Sequence, residues 1–291
     1  PFFFYLSYQF PHPPLVPLQA YLDMYREDEM PAPLRDDWVD DSFIMQEMTA
    51  PARHYTEKEI RLAKRAYFAQ CTHIDHQIRL VLGALRENGL LDHTLIVFAS
   101  DHGEMLFDHQ MAGKRCFYEN SAHIPFLLSG RPVAALRGRT DDRLACLEDV
   151  MPTLLHFCGI EIPDTVEGLD LLGEQRRSWL YGEISDGPKA TRMIHDGRHK
   201  LIYYPYGNRI QLFDLAEDPN EERDISGSPA YADVQRRLEG LLMDSLYGPD
   251  RAWIADGHLC GVPAPEYTEK PDYGFSNQRG LHWPVMPPIA R

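Results

Sequence analysis

A carboxylate and an imidazole stand side by side at Asp101-His102, followed by Gly103 and Glu104. Oxygen from an aspartate and nitrogen from a histidine can together hold a divalent cation. Gly103 permits a tight turn, so that both side chains can point at one place. Asp108-His109 follows within a turn or two, and then Gly113-Lys114-Arg115, whose lysine comes thirteen residues after Asp101. An ammonium and a guanidinium near a metal make an anion pocket suited to sulfate or phosphate. His12, held by Pro11, Pro13 and Pro14, is a further candidate donor. Each feature also has a plainer reading: a D-H-G triplet is common, and an isolated Lys-Arg pair is usually solvated.

These residues need elements to position them. Pro1 to Tyr8 reads as a buried apolar strand, ended by the prolines around His12. Residues 15 to 55 are irregular and acidic, long for a plain connection and therefore a candidate for pocket walls. Thr56 to Gly89 is the clearest helix, opened by the capping box Thr56-x-x-Glu59 and closed by Asn88-Gly89. Its apolar stripe, from Ile60 through Ala63, Tyr67, Cys71, Ile74 and Ile78 to Leu85, should pack on a sheet, with Asp75 and His76 flanking it. Thr94 to Ala99 is a continuous apolar run with β-branched residues, which predicts a buried parallel strand. Asp101 and His102 then lie just beyond its carboxyl end, where open α/β sheets bind ligands. Pro125 to Leu128 is a further strand. Leu144 to Cys158 is a second amphipathic helix, kinked at Pro152, with Leu147 and Met151 among its inward residues.

After about residue 173 the texture changes. Short strands are predicted over 179–184, 192–195, 200–204 and 211–215, with turn signals at Asp196-Gly197 and Gly207-Asn208, then a helix over 229–246. The expected architecture is α/β, an α/β/α sandwich over 1–172 followed by a small antiparallel α+β subdomain over 173–246. Residues 247–291, rich in proline and aromatics, read as an extended arm lying on the body or on a second copy of the chain, the expected route to a homo-oligomer.

Composition removes other classes. Of 291 residues, 29 are Lys or Arg and 44 Asp or Glu, a net charge of −15. Such an acidic surface repels phosphate backbones, which disfavours nucleic acid as a partner. No apolar run reaches the ~18 residues of a membrane helix. The five cysteines (Cys71, Cys116, Cys146, Cys158, Cys260) are odd in number and contain no C-x-x-C pair, against both a disulfide framework and a thiolate zinc site. The compartment is open, with the cytoplasm as default.

In order and spacing these elements resemble the sulfatase family, within the alkaline-phosphatase-like superfamily that also holds the phosphonate monoester hydrolases. The residues that carry the likeness are Phe10-Pro11-His12-Pro13-Pro14 after a first strand, Gly89-Leu90-Leu91-Asp92-His93-Thr94 running into Asp101-His102-Gly103-Glu104, then Gly113-Lys114, and finally Leu212-Phe213-Asp214-Leu215-x-x-Asp218-Pro219-x-Glu221. The likeness extends over roughly residues 1 to 245.

The resemblance implies a role for each. Asp101 matches a metal-ligating aspartate. His102 takes the neighbouring metal position, where many sulfatases carry Asn and phosphonate monoester hydrolases carry His. Lys114 matches the lysine on the sulfate or phosphoryl oxygens, and His12 a histidine at the substrate ester. His109 and Arg115 would line the pocket. One divalent metal, Ca²⁺ or Mn²⁺, is implied, with the nitrogen of His102 tilting the site toward Mn²⁺. The family also bears an aspartate pair and a C-x-P-x-R cysteine, oxidised to formylglycine, before its first strand. None of the five cysteines here has that context, so truncation is the expected explanation and the chain alone is expected to be inactive. The implied activity is hydrolysis of small sulfate monoesters. Alternatives are phosphonate or phosphate ester hydrolysis, phosphotransfer on the same scaffold, and a binding or scaffold role without catalysis.

Overall fold

The computed structural model describes residues 2–36 and 38–269. It is a mixed α/β fold, and its longest element is α3, Glu57–Glu87, preceded by the short helices α1, Gln19–Leu22, and α2, Phe43–Thr49. The capping box of α3 is formed from both sides, with the Glu59 amide donating to Thr56 Oγ1 and the Thr56 amide donating to Glu59 Oε2. Gly89, at φ +65°, takes the left-handed position beyond its end. Ile60, Ala63, Ala66 and Ala69 bury one stripe of the helix against Leu15, Leu22, Tyr55 and Phe107. The partner is thus the folded 15–55 segment rather than the expected sheet. Three alanines at steps of three keep the helix surface low, so irregular chain can lie close to it.

The apolar strand expected at the start does not form. Residues 2–8 have no strand partner among the described residues, and Phe3 and Tyr5 are 77% and 80% exposed. An apolar run becomes a strand only where another strand meets its backbone groups. Strand β1, Ile96–Ala99, lies where expected but pairs antiparallel with β2, Phe126–Ser129, and is half-buried rather than buried. Phe98 and Leu127 are register partners, and both are exposed. After the four-residue helix α4, Glu119–Ala122, and β2, the next helix is α5, Val150–Phe157. Pro152 therefore sits in its first turn, where a missing N–H costs nothing, and makes no kink. Leu147 and Met151, expected inward, are exposed.

The second half follows its turn signals closely. Strands β3, Leu180–Ile184, β4, Thr191–His195, β5, His199–Tyr204, and β6, Arg209–Asp214, form one antiparallel meander in that order. Successive side chains of a strand point to opposite faces, and both faces are covered. Leu201 and Tyr203 pack on helix α6, Ala232–Ser245, through Leu238 and Leu242. Ile202 and Tyr204 face Trp38, Ile44, Met45 and Tyr118. The 15–55 segment thus builds core instead of only edging a pocket.

The chain stays packed on the sheet beyond residue 246, where an extended arm was expected to begin. Trp253 is buried beneath the Arg192 guanidinium, 5.2 Å from its ring centre, and Arg192 donates to Asp250 at 2.7 Å. A small hairpin follows, β7, Ile254–Ala255, with β8, His258–Leu259. An aromatic side chain with an ionic anchor holds this part of the expected arm on the body. Residues 270–291 of that arm, including Tyr273, Phe275 and Trp283, lie outside the described residues. Among the described residues no helix is long and apolar enough to cross a membrane.

Candidate active site

The turn that carries His12 is built onto α3. The His12 amide donates to the Gln9 carbonyl at 2.9 Å, and buried Gln70 of α3 donates to the Pro14 carbonyl at 2.8 Å. Phe10 packs on His73 of the same helix. His12 Nδ1 lies 2.6 Å from the Pro13 carbonyl, which only accepts, so the proton is on Nδ1 and Nε2 is an acceptor. Lys114 Nζ donates to that Nε2 at 2.5 Å.

Asp101 and His102 follow β1. His102 Nδ1 donates to the Gly103 carbonyl at 2.8 Å, which leaves Nε2 with its lone pair, 3.5 Å from Asp101 Oδ2. The Asp101 side chain is 82% exposed. The rings of His12 and His102 meet edge-on, with centroids 6.0 Å apart. The structure therefore gathers His12, Asp101, His102 and Lys114 in one neighbourhood. A carboxylate oxygen beside an unprotonated imidazole nitrogen fits a divalent cation as two of its donors. Among the described residues no group of three or more His, Cys, Asp or Glu forms such a cluster.

Gly103 serves close approach rather than a special dihedral. It is not at positive φ, but a Cβ there would lie 2.0 Å from the Asn120 carbonyl oxygen. Its amide donates to the Ser121 carbonyl at 2.8 Å, so α4 backs the turn.

Between Gly103 and Lys114 the chain doubles back, with the Met105 amide on the Gly113 carbonyl and the Gly113 amide on Glu104 Oε1. Leu106, Phe107, His109, Gln110 and Arg115 all have positive φ, which costs roughly 1–2 kcal/mol for each non-glycine residue. Contacts beneath hold them there. Asp108 accepts from the Leu34 amide at 3.0 Å, from Lys64 at 3.1 Å and from Asn120 at 2.7 Å. His109 is not at the cleft. It is buried, 2.5 Å from Asp36 and packed against Trp38 and Tyr118, so its expected place on the pocket wall gives way to one in the core. Arg115 is exposed next to Lys114 and pairs with no carboxylate among the described residues.

Sequence reasoning missed Gln70, Lys64 and Asp36. The first two were detectable, since a glutamine and a lysine interrupt the alanine-rich stripe of α3. Asp36 carried no signal, because its partner lies 73 residues away. The cysteines do not join the site. Burial pushes the Cys116 thiol up to about 12, and that of Cys71 up to about 11. A cavity of about 490 Å³ lies elsewhere, lined in part by Phe43, Glu47, Asp186, Lys189 and Glu266. Lys189 there is paired with Glu47 at 2.6 Å, and none of the four gathered residues lines it.

Comparison with known proteins gives a consistent picture. Residues 1–160 match the family model described as Sulfatase, and residues 107–246 that of the N-sulphoglucosamine sulphohydrolase C-terminal region. The chain is 36% identical over 276 residues to an arylsulfatase of Clostridium perfringens, covering 90% of this chain and 57% of that protein. Among solved structures it is similar to a phosphonate monoester hydrolase from Silicibacter pomeroyi, at a TM-score of 0.72 and 27% identity, covering 80% of this chain and 53% of that one. It is also similar to a protein solved with its substrate D-glucosamine-2-N,6-O-disulfate, at a TM-score of 0.56 and 25% identity, covering 67% and 43%. The chain spans about half the length of these relatives.

Proposed function

This chain belongs to the sulfatase family, and from that premise we propose that it carries the anion- and metal-binding part of a metal-dependent hydrolase of small sulfate monoesters. The observation that supports this most is the Lys114–His12 contact at 2.5 Å beside the Asp101–His102 pair. Ester cleavage builds negative charge on the sulfuryl oxygens and on the departing oxygen. The Lys114 ammonium would meet the first. The second needs a proton, and the hydrogen bond between Lys114 Nζ and His12 Nε2 holds one between two groups able to pass it on. Asp101 Oδ2 and His102 Nε2 would hold a divalent cation, which when bound polarises an ester oxygen. The nitrogen donor favours Mn²⁺ over Ca²⁺. Arg115 would add a second positive charge to the rim. No cysteine of this chain stands in a C-x-P-x-R context, so the formylglycine nucleophile is no part of what these residues supply.

A second reading, hydrolysis of phosphonate or phosphate esters, is favoured by the same nitrogen donor and by the likeness to a phosphonate monoester hydrolase. One experiment separates them. The protein expressed from its native reading frame is given an aryl sulfate and an aryl phosphonate monoester, and kcat/KM is compared. A higher value for sulfate supports the first reading, and a higher value for phosphonate supports the second. Turnover of neither overturns both. Metal analysis that finds calcium alone overturns the manganese preference.

A further inference from the structure

The motif ending in Asp218-Pro219-x-Glu221 lies outside the candidate site, yet it reaches toward it. Asp218 accepts from the amides of Glu222 and Arg223 and so folds the tip of the motif, which sets Glu221 pointing inward. The Glu221 side chain is 1% exposed and that of Lys200, on β5, 2%. Lys200 Nζ donates to Glu221 at 2.9 Å, to the Phe117 carbonyl at 2.8 Å and to the Glu119 carboxylate. The other Glu221 oxygen takes the Glu119 amide at 2.6 Å. Three of these four bonds end on residues 117–119, the entrance to α4. The far side of α4 is the wall against which Gly103 packs, through the Ser121 carbonyl at 2.8 Å and the Asn120 carbonyl that excludes a Cβ. Asn120 also donates to Asp108.

We propose that Lys200 and Glu221 are positioning residues for the Asp101–His102 pair: by clamping α4 they hold the Gly103 turn, and with it the spacing of the two metal donors. The proposal rests on the reading of Asp101 and His102 as ligands. A buried ion pair is weak grounds for stability, because apolar residues of similar volume are often as good. Its retention here fits a task of orientation, since a carboxylate and an ammonium fix the backbone groups they bind.

The test uses the protein from its native reading frame. E221Q loosens the clamp with little change of volume. K200M/E221L replaces the pair by apolar side chains and keeps the protein folded if the single variant does not. L242A, in the core on the far side of the sheet, is the control for general destabilisation. Amide exchange at Gly103 and the Mn²⁺ dissociation constant after dialysis against chelator are measured well below the melting temperature. The clamp predicts at least tenfold faster Gly103 exchange and Mn²⁺ binding weakened about tenfold in a clamp variant, as for loss of groups that orient metal ligands, with L242A unchanged in both. Unchanged exchange overturns the clamp, as does an equal effect in L242A. Faster exchange with unaltered Mn²⁺ affinity, while D101A abolishes binding, shows that the turn moves without its donors mattering, and also overturns it. Mn²⁺ binding that survives in D101A removes the ligand reading itself, and the proposal falls with it.

Discussion

Lys114 and His12 are 102 residues apart in sequence and meet at 2.5 Å, Nζ to Nε2. Each is delivered separately: His12 by a proline-rich turn that Gln70 pins to α3, Lys114 by a doubled-back loop pinned by Asp108 and Glu104. Two basic groups in contact must share a proton, so their meeting suits them to bind an anion and to supply that proton.

Lys114→Ala removes the donor to the developing oxyanion. Turnover of the preferred ester should fall by ~10²-fold or more, read as kcat from initial rates. A rise in KM at constant kcat would mean that the lysine only binds.

Asp101→Ala should abolish metal retention and activity together. Elemental analysis of the dialysed variant beside a rate assay checks it. A variant that keeps its metal and turns over normally refutes the assignment.

Gly103→Ala forces a Cβ to within 2.0 Å of a backbone oxygen. Either α4 or the turn must shift, at a cost on the order of 1–3 kcal/mol. A urea melt should show an earlier midpoint with unchanged slope.

Asp108→Ala strands the Lys64 ammonium, whose side chain is only 4% exposed. Loss of one partner of a buried pair costs about 3–5 kcal/mol. Thermal unfolding should show this as the most damaging of the four substitutions, and Asp108→Asn, which keeps an acceptor for Lys64, should recover part of it.

Glu119 sets a pH dependence. Burial opposes its charge, but the hydrogen bond from His123 and the ammonium of Lys200 outweigh burial and hold the carboxyl at about 2, against an ordinary value of 4.5. A depressed acid stabilises the fold above its unfolded value, and the contribution is lost as pH falls from 4.5 through 2. Across that window the wild type should lose more melting temperature than Glu119→Gln. Parallel curves would show that the pairing does not act on stability.

What could be read beforehand was whatever is written locally. The α3 capping box, the turns at Asp196-Gly197 and Gly207-Asn208, and the four short strands around them depend on neighbours in sequence, and they form as expected. The gathering of Asp101, His102, Lys114 and His12 followed from the order of elements in a known family. Pairing was not legible: Phe2 to Leu6 and Ile96 to Ala99 are equally apolar, and only the second meets a strand. His109 was misplaced for a related reason. Its buried partners Asp36, Trp38 and Tyr118 come from distant segments, and nothing adjacent to it in sequence reports burial.

The left-handed residues scattered between Leu106 and Arg115 make the lysine loop hard to transplant. Cut at its ends and grafted onto a foreign scaffold, it would relax to ordinary dihedrals, because its shape is imposed from below and not stored in its own residues. A designer wishing to move the Lys114–His12 couple elsewhere would have to carry along Leu34, Asp36 and Lys64 as its mould.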